Sequence, residues 1–220
     1  MRKNAYIGLG SNLGDSLRIV HRAWQALGRQ PGIEAVALSS PYRSEPVGMA
    51  SPNWFINGVG LVRTTLSPDE LLARLLVLEK EFGRQRGRGT SGYQDRTLDL
   101  DLLLYDDLVY AGERLVLPHP ELHRRLFVLL PLAEIAPTLR HPVLARTVQE
   151  LLRDRLRESD RPLCLKVAWP ETVAAGSRPW AKNLYDSGTG QKVNFIRHLR
   201  LQRYNEAMTA AAGAPERGRL

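Results

Sequence analysis

An alternating stretch at residues 96–104 restricts the fold more than any other part of this chain. It reads Arg-Thr-Leu-Asp-Leu-Asp-Leu-Leu-Leu, and the side chains of a β-strand point alternately to its two faces. We therefore predict a strand over residues 97–105, with Asp99 and Asp101 side by side on one face. The other face is apolar and holds Leu98, Leu100, Leu102 and Leu104. A strand with four leucines on one face has to be well buried.

The two aspartates indicate a metal site. Like charges at this separation repel each other unless a cation lies between them, and burial of uncompensated carboxylates is costly. Hard carboxylate oxygens favour Mg²⁺, especially where phosphates complete its octahedral shell. The alternative interpretation is a solvated strand face whose aspartates form salt bridges. The pattern favours Mg²⁺ at Asp99 and Asp101.

The remaining segments alternate between strand-like and helical patterns. Predicted strands cover residues 5–9, 36–42 and 54–62, and a hairpin is predicted over residues 108–117. Predicted helices follow the apolar spacing of residues 17–27, 67–82, 122–135 and 148–156. Because two of the helices lie between groups of strands, the pattern indicates a ferredoxin-like α/β sandwich.

Length and composition indicate one folded domain with an appendage. The chain has 220 residues, 43% of them hydrophobic, which suits a globular protein. We predict a domain over residues 1–158 and a basic, partly disordered C-terminal extension of unknown role over residues 159–220. The extension contributes +5 of the formal net charge of +8. This balance favours a phosphate-bearing partner, but it does not distinguish a nucleotide from a nucleic acid.

Three features predict a cytoplasmic location without membrane contact. The longest apolar stretch, at residues 126–133, is far shorter than the roughly 18 residues of a membrane span. The N-terminus lacks the apolar core of a secretory signal. The single cysteine, Cys164, excludes an intramolecular disulfide, which is typical of a reducing compartment.

A basic loop leads into the predicted central strand. Between Gly83 and the strand, the arginines are Arg84, Arg86, Arg88 and Arg96, and the glycines are Gly87, Gly89 and Gly92. Guanidinium groups grip phosphates and neutralise transferred charge. The glycines would let the loop close over a substrate as a lid. A mobile basic loop without a ligand is the alternative.

Other residues allow two interpretations each. Phe55 and Asn57 share a strand face, which suits stacking and hydrogen bonding of a flat heterocycle, but a core aromatic is the alternative. The glycine turn at residues 10–14 lacks the spacing of a dinucleotide or phosphate loop and is interpreted as a tight strand-to-helix turn. His119 lies between two prolines, and a single histidine of this kind is more often structural than catalytic.

Several of these segments occur together in one characteristic order. They are Gly10-Ser11-Asn12-Leu13-Gly14, Tyr42-Arg43-Ser44, Phe55-Ile56-Asn57, the stretch from Arg96 to Asp101, and Pro118-His119-Pro120 with Arg125 and Phe127. Over residues 4–155 the chain thereby resembles the 6-hydroxymethyl-7,8-dihydropterin pyrophosphokinases of folate biosynthesis. The resemblance implies a ferredoxin-like α/β fold and a Mg²⁺-dependent enzyme. Such an enzyme transfers the β,γ-diphosphate of ATP to the pterin hydroxymethyl group and releases AMP.

The resemblance also implies roles for individual residues. Asp99 and Asp101 would hold two Mg²⁺ ions, and Arg84 and Arg96 would assist pyrophosphoryl transfer. The residues implied at the ATP site are Glu79, Arg86, Leu102, Arg114 and His119. The residues implied around the pterin, which would lie between two phenylalanines, are Ser44, Val47, Phe55, Asn57, Tyr93, Arg125 and Phe127. The chain departs from the family pattern just before Arg96, where Gln94-Asp95 replace the usual Gly-Pro.

ATP and a hydroxymethyl dihydropterin are therefore the expected partners, and a nucleic acid is not expected. A monomer is favoured, and the oligomeric state stays open. One alternative is a basic RNA-binding domain, since ferredoxin-like sheets serve that role, although the chain lacks the aromatic-rich sheet motif of an RRM. Another is a catalytically silent relative that acts through its basic tail. The intact aspartate and arginine pairs argue against a silent relative.

Overall fold

The chain forms an antiparallel sheet that is covered by helices on both faces. The computed structural model describes residues 1–84, 94–158 and 162–170. Within these ranges the strands are β1 Lys3–Ser11, β2 Ile33–Leu38, β3 Tyr42–Ser44, β4 Phe55–Thr64, β5 Asp99–Tyr105, β6 Tyr110–Ala111, β7 Val116–Leu117 and β8 Cys164–Lys166. The helices are α1 Ser16–Leu27, α2 Pro68–Glu81, α3 Leu126–Ile135 and α4 Val148–Arg157, and a 3-10 turn, Leu122–Arg124, precedes α3.

The order of the strands confirms the predicted ferredoxin-like arrangement. The sheet runs β5-β1-β4-β3-β8, and β2 pairs with the second half of β4. All of these pairs are antiparallel. β1 and β4 form the centre of the sheet, with aligned pairs from Lys3 and Thr64 to Ser11 and Ile56. The helices α1 and α2 fall between strand groups, as the sequence pattern predicts.

Two separate apolar cores fill the two sides of the sheet. On one side, which we call the α1/α2 core, both helices pack through residues such as Val20, Leu27, Leu71 and Leu75. On the other side, the α3/α4 core, α3 is apolar over almost its whole surface, as a helix buried on most sides has to be. Burial on both faces explains the high leucine content of β5. In the described ranges, no helix is both long and apolar enough to span a membrane.

A β-bulge in β5 changes one predicted orientation. The pairing with β1 skips a residue between Leu102 and Leu104. Leu103 and Leu104 therefore both pack in the α3/α4 core, whereas Leu102 packs in the α1/α2 core with the leucines before it. The prediction that Leu104 shares the face of Leu102 was wrong, because the extra residue of a bulge interrupts the two-residue alternation of a strand.

The predicted strand over residues 36–42 consists of two strands. β2 ends at Leu38, and β3 begins at Tyr42. Pro41 lies between them and has no N–H to donate to a ladder, which accounts for the break. The loop between β3 and β4 therefore begins at Glu45, and its residues are half-buried or exposed.

A strand beyond residue 158 belongs to the sheet. β8 pairs with β3. The Glu45 N–H donates to the Leu163 carbonyl, and the Leu163 N–H donates to a carboxylate oxygen of Glu45. The indole N–H of Trp169 donates to the Ser39 carbonyl at 2.9 Å. The division of the chain at residue 158 stays a prediction, but the described segment after it is an edge strand. The rest of the predicted extension lies outside the described ranges, at residues 159–161 and 171–220.

We predict that Trp169→Ala lowers the free energy of unfolding by about 2 kcal/mol, because a half-buried ring and its hydrogen bond are lost. Urea unfolding of the purified protein measures this. Trp169→Phe keeps an aromatic ring and should lose less. The control is Val143→Ala, since Val143 is 60% exposed. Equal stability of Trp169→Ala and the control would contradict a structural role for the segment after residue 158.

Candidate functional site

A pocket of about 650 Å³, measured with its open mouth, lies on the α3 side of the sheet. It is formed by β1, β3, β4, β5, the loop after β3 and the beginning of α3. Nine of the predicted site residues line it: Ser44, Val47, Phe55, Asn57, Arg96, Asp99, Asp101, Arg125 and Phe127. The fold thus brings the implied metal, phosphate and pterin residues to one cavity.

Two glycines of β1 leave room at the floor of this pocket. Gly10 pairs with Asp99, and Gly8 pairs with Asp101. A Cβ atom on Gly10 would stand 3.2 Å from Asn57 Oδ1 and 3.7 Å from Asp99 Cβ. A larger residue would therefore fill space beside the carboxylates. This role of the glycines was not predicted, although their two-residue spacing in a strand places both on one face.

Asp99 is the centre of an ionic network. Its carboxylate pairs with Arg84 and, at 2.7 Å, with Nη2 of Arg96. Arg84 also pairs with Glu79, whose Oε1 accepts a hydrogen bond from the Leu100 N–H at 2.8 Å. Glu79 is only 2% exposed. It therefore ties the end of α2 to the start of β5 and holds the Arg84 guanidinium beside Asp99.

Asp101 lies next to this network. Within the described part of the chain, no hydrogen bond or ion pair reaches its carboxylate. Burial and the negative charge of Asp99 raise the pKa of Asp101 to about 7. Two half-buried carboxylates that share a pocket form a donor set that suits a hard divalent cation. Among the described residues, no third His, Cys, Asp or Glu completes a cluster around them.

Two buried polar side chains face the pocket from neighbouring strands. Asn57 of β4 donates a hydrogen bond from Nδ2 to Ser44 Oγ of β3 at 2.9 Å. This bond directs the amide oxygen of Asn57 toward Gly10. A buried amide with a fixed orientation can distinguish a donor from an acceptor on a bound ligand.

Aromatic rings and guanidinium groups meet in the same pocket. The guanidinium carbon of Arg96 lies 5.2 Å from the centre of the Phe55 ring. That of Arg125 lies 5.7 Å from the centre of the Phe127 ring. Contacts of this kind orient the cations over the rings. The two phenylalanines offer apolar surface on which a flat heterocycle can stack.

Seven predicted residues are not among those that line the pocket. Glu79 and Arg84 belong to the network around Asp99, His119 lies in the turn after β7, and the other four lie elsewhere in the fold or outside the described ranges. The Leu102 side chain packs in the α1/α2 core, on the opposite face of the sheet. Arg114 is exposed between β6 and β7. Arg86 and Tyr93 lie outside the described ranges.

His119 lies behind the pocket, where its backbone N–H donates to the Leu103 carbonyl of β5 at 2.9 Å. Its imidazole Nδ1 accepts a hydrogen bond from the Glu121 N–H at 3.2 Å. Burial, followed by the positive charge of Arg125, lowers the pKa of His119. The hydrogen bond to Nδ1 therefore holds the ring in the turn after β7.

Some residues of the pocket were not predicted. Glu45 and Met49 line it from the loop after β3, Leu103 from the bulge and Val128 from α3. Neither loop residue belongs to a motif. The position of Glu45 depends on its hydrogen bonds with Leu163, which is 118 residues away in sequence, and no local pattern encodes such a contact.

The sequence matches a family model and named relatives. Residues 6–137 match the model described as 7,8-dihydro-6-hydroxymethylpterin-pyrophosphokinase. The 2-amino-4-hydroxy-6-hydroxymethyldihydropteridine pyrophosphokinase of Methylorubrum extorquens is 43% identical over 148 residues, which cover 67% of this chain and 90% of the relative. The protein of the same name from Pseudomonas aeruginosa is 41% identical over 152 residues, which cover 69% of this chain and 91% of the relative.

The fold is also similar to that of solved structures. The wild-type HPPK-DHPS of Plasmodium falciparum with pteroate aligns with a TM-score of 0.57 and 13% sequence identity. The alignment covers 70% of this chain and 44% of that chain, so it shows the fold alone. The match over residues 6–137 and the 41–43% identity to the two relatives together show the family. The chain belongs to the 7,8-dihydro-6-hydroxymethylpterin-pyrophosphokinases, which transfer a pyrophosphoryl group from ATP to a hydroxymethyldihydropterin in folate biosynthesis.

Proposed function

We propose that this protein transfers the β,γ-diphosphate of ATP to the hydroxymethyl oxygen of 6-hydroxymethyl-7,8-dihydropterin, with AMP as the leaving group. The observation that carries the proposal is the convergence of two carboxylates, Arg96 and an aromatic, amide-bearing surface on one pocket, with Arg84 paired to one of these carboxylates. Family membership supports the same reaction.

Charge neutralisation is the main task at the phosphate end. Arg84 and Arg96 lie beside Asp99, with side-chain exposures of 17% and 18%. There they can bind phosphate oxygens and stabilise the charge that develops during transfer. Because their side chains are largely shielded from solvent, water screens these interactions less than at the surface. Phosphoryl-type transfer depends on alignment and electrostatics, so no protein nucleophile is required. The predicted contacts of ATP stay proposals: Glu79, Arg86, Leu102, Arg114 and His119.

Asp99 and Asp101 would hold two Mg²⁺ ions. Bound Mg²⁺ would neutralise phosphate charge and lower the pKa of the substrate hydroxyl. The fit is supported by the half-buried position of Asp101 beside a second carboxylate, because a bound cation would offset both the desolvation and the repulsion from Asp99 that raise the pKa of Asp101. Phosphate oxygens and water are suitable partners for the remaining coordination positions.

The pterin would stack between Phe55 and Phe127. The other predicted contacts of the pterin are Ser44, Val47, Asn57, Tyr93 and Arg125. The buried Asn57–Ser44 pair supports this assignment, because a pterin edge presents both donors and acceptors that a fixed amide can recognise. A cytoplasmic location and a monomeric state stay predictions.

We predict that Asp101→Asn reduces pterin-dependent AMP formation at least about 100-fold, because an anionic ligand proposed for the metal is lost. AMP is measured from ATP and Mg²⁺, with and without 6-hydroxymethyl-7,8-dihydropterin. Asp107→Asn, an exposed aspartate in the turn after β5, is the matched control and should keep its activity. A wild-type protein that makes no pterin-dependent AMP would refute the proposed function and favour a silent or nucleic-acid-binding relative.

The same substitution should stabilise the protein when divalent cations are removed. The pKa of Asp101 is raised to about 7 in the folded state, against its ordinary value of about 3.9 in an unfolded chain. The folded protein holds this proton more tightly than the unfolded chain does. The free energy of unfolding therefore falls as the pH rises through this window. In EDTA at pH 8, Asp101→Asn should melt above wild type, and the difference should be smaller at pH 5. A lower melting temperature for Asp101→Asn under both conditions would contradict this account of the site.

A further inference from the structure

Asp95 joins two segments that are distant in sequence. Its Oδ1 accepts a hydrogen bond from Asn12 Nδ2, and its Oδ2 accepts one from Asn53 Nδ2, both at 2.6 Å. Asn12 lies in the turn after β1, and Asn53 lies at the end of the loop between β3 and β4. The Ser51 side chain also hydrogen-bonds to this carboxylate, which contributes to a lowered pKa of Asp95. Each oxygen of one carboxylate thus holds a different segment.

The segment that carries Asp95 is itself fixed to the turn after β1. The backbone N–H of Arg96 donates to Asn12 Oδ1 at 2.7 Å, and the Asn12 N–H donates to the Arg96 carbonyl at 3.1 Å. Asn12 therefore binds the backbone of Arg96 and the side chain of Asp95 together. The Arg96 guanidinium reaches Asp99 from this fixed backbone.

The loop held by Asn53 forms one wall of the pocket. Glu45, Val47 and Met49 line the cavity from this loop, and the Asn53 N–H donates to Ser51 Oγ at 3.1 Å. At its other end the loop is held by the bonds between Glu45 and Leu163. The Asp95 carboxylate thus links this wall to the segment that positions Arg96.

We propose that Asp95 is a positioning residue that closes the loop between β3 and β4 against Arg96 and thereby sets the affinity for the pterin. The inference rests on the proposed function, because Val47 is a predicted pterin contact. Hydrogen bonds to a charged acceptor are stronger than neutral ones, so one carboxylate can hold both amides. Asp95 itself does not touch the pocket, and it acts through the loop and through Arg96.

The test compares Asp95→Ala, Asp95→Asn and Asn53→Ala by steady-state kinetics with each substrate varied in turn. Asn53→Ala should raise the KM for 6-hydroxymethyl-7,8-dihydropterin about tenfold, the effect of one lost charge-assisted hydrogen bond. Asp95→Ala also loses the bonds from Asn12 and Ser51 and should raise this KM at least as much. The KM for ATP should change much less. The double variant should resemble Asp95→Ala, because both substitutions remove the same bond. Asp95→Asn keeps one acceptor oxygen and should show a smaller effect.

A second measurement is independent of turnover. Hydrogen exchange of the amides in residues 45–53 should become faster in Asp95→Ala and stay unchanged in β1 and β4. The control is Asp107→Ala, which removes an exposed carboxylate elsewhere in the protein. Its KM values and its hydrogen exchange should match those of wild type.

Two results would overturn the inference. One is a lower melting temperature for Asp95→Ala with both KM values unchanged, which would make the residue structural only. The other is an equal rise in the KM values for ATP and pterin, which would exclude a role at the pterin wall. Failure of the proposed function is distinguishable, because wild-type protein would then make no pterin-dependent AMP, whereas hydrogen exchange would still report whether Asp95 holds the loop.

Discussion

Burial of β5 between two apolar cores is the constraint on which the rest of the structure depends. The strand pairs with β1 along one edge and contributes leucines to both cores. The sheet can bury both faces only because α1 and α2 cover one side and α3 and α4 cover the other. Asp99 and Asp101 are therefore placed where a polar group is tolerated only in an open pocket or beside a counter-ion.

The two aspartates meet this constraint in different ways. Asp99 is compensated by Arg84 and Arg96, and Glu79 fixes one of these arginines from α2. Asp101 is half-buried beside Asp99, and its raised pKa reports an environment that disfavours the negative charge. A protein that only had to fold would be more stable with a neutral residue there. Under the proposed function this carboxylate would serve as a metal ligand, and some stability would be given up for that role.

Much of the fold and part of the site could be predicted because the relevant signals are local. The alternation at residues 96–104 predicts a buried strand and the shared face of Asp99 and Asp101. The helix predicted over residues 67–82 is α2, and Ser67 forms its N-terminal cap. The bulge at Leu103 was missed, because an extra residue in a strand leaves no periodic signal when both neighbours are leucines. β8 was missed because it is short, and its place in the sheet depends on pairing with β3.

By itself the sequence determined the order of most strands and helices, the shared face of the aspartates and, through the motif order, the family. Only the tertiary structure decided how the pieces of the site are held. Glu79 is fixed by the Leu100 N–H, Asp95 by Asn12 and Asn53, and Glu45 by Leu163. The physical reason is distance along the chain. Periodicity and caps report interactions within a few residues, whereas these hydrogen bonds form only after the sheet has brought remote segments together.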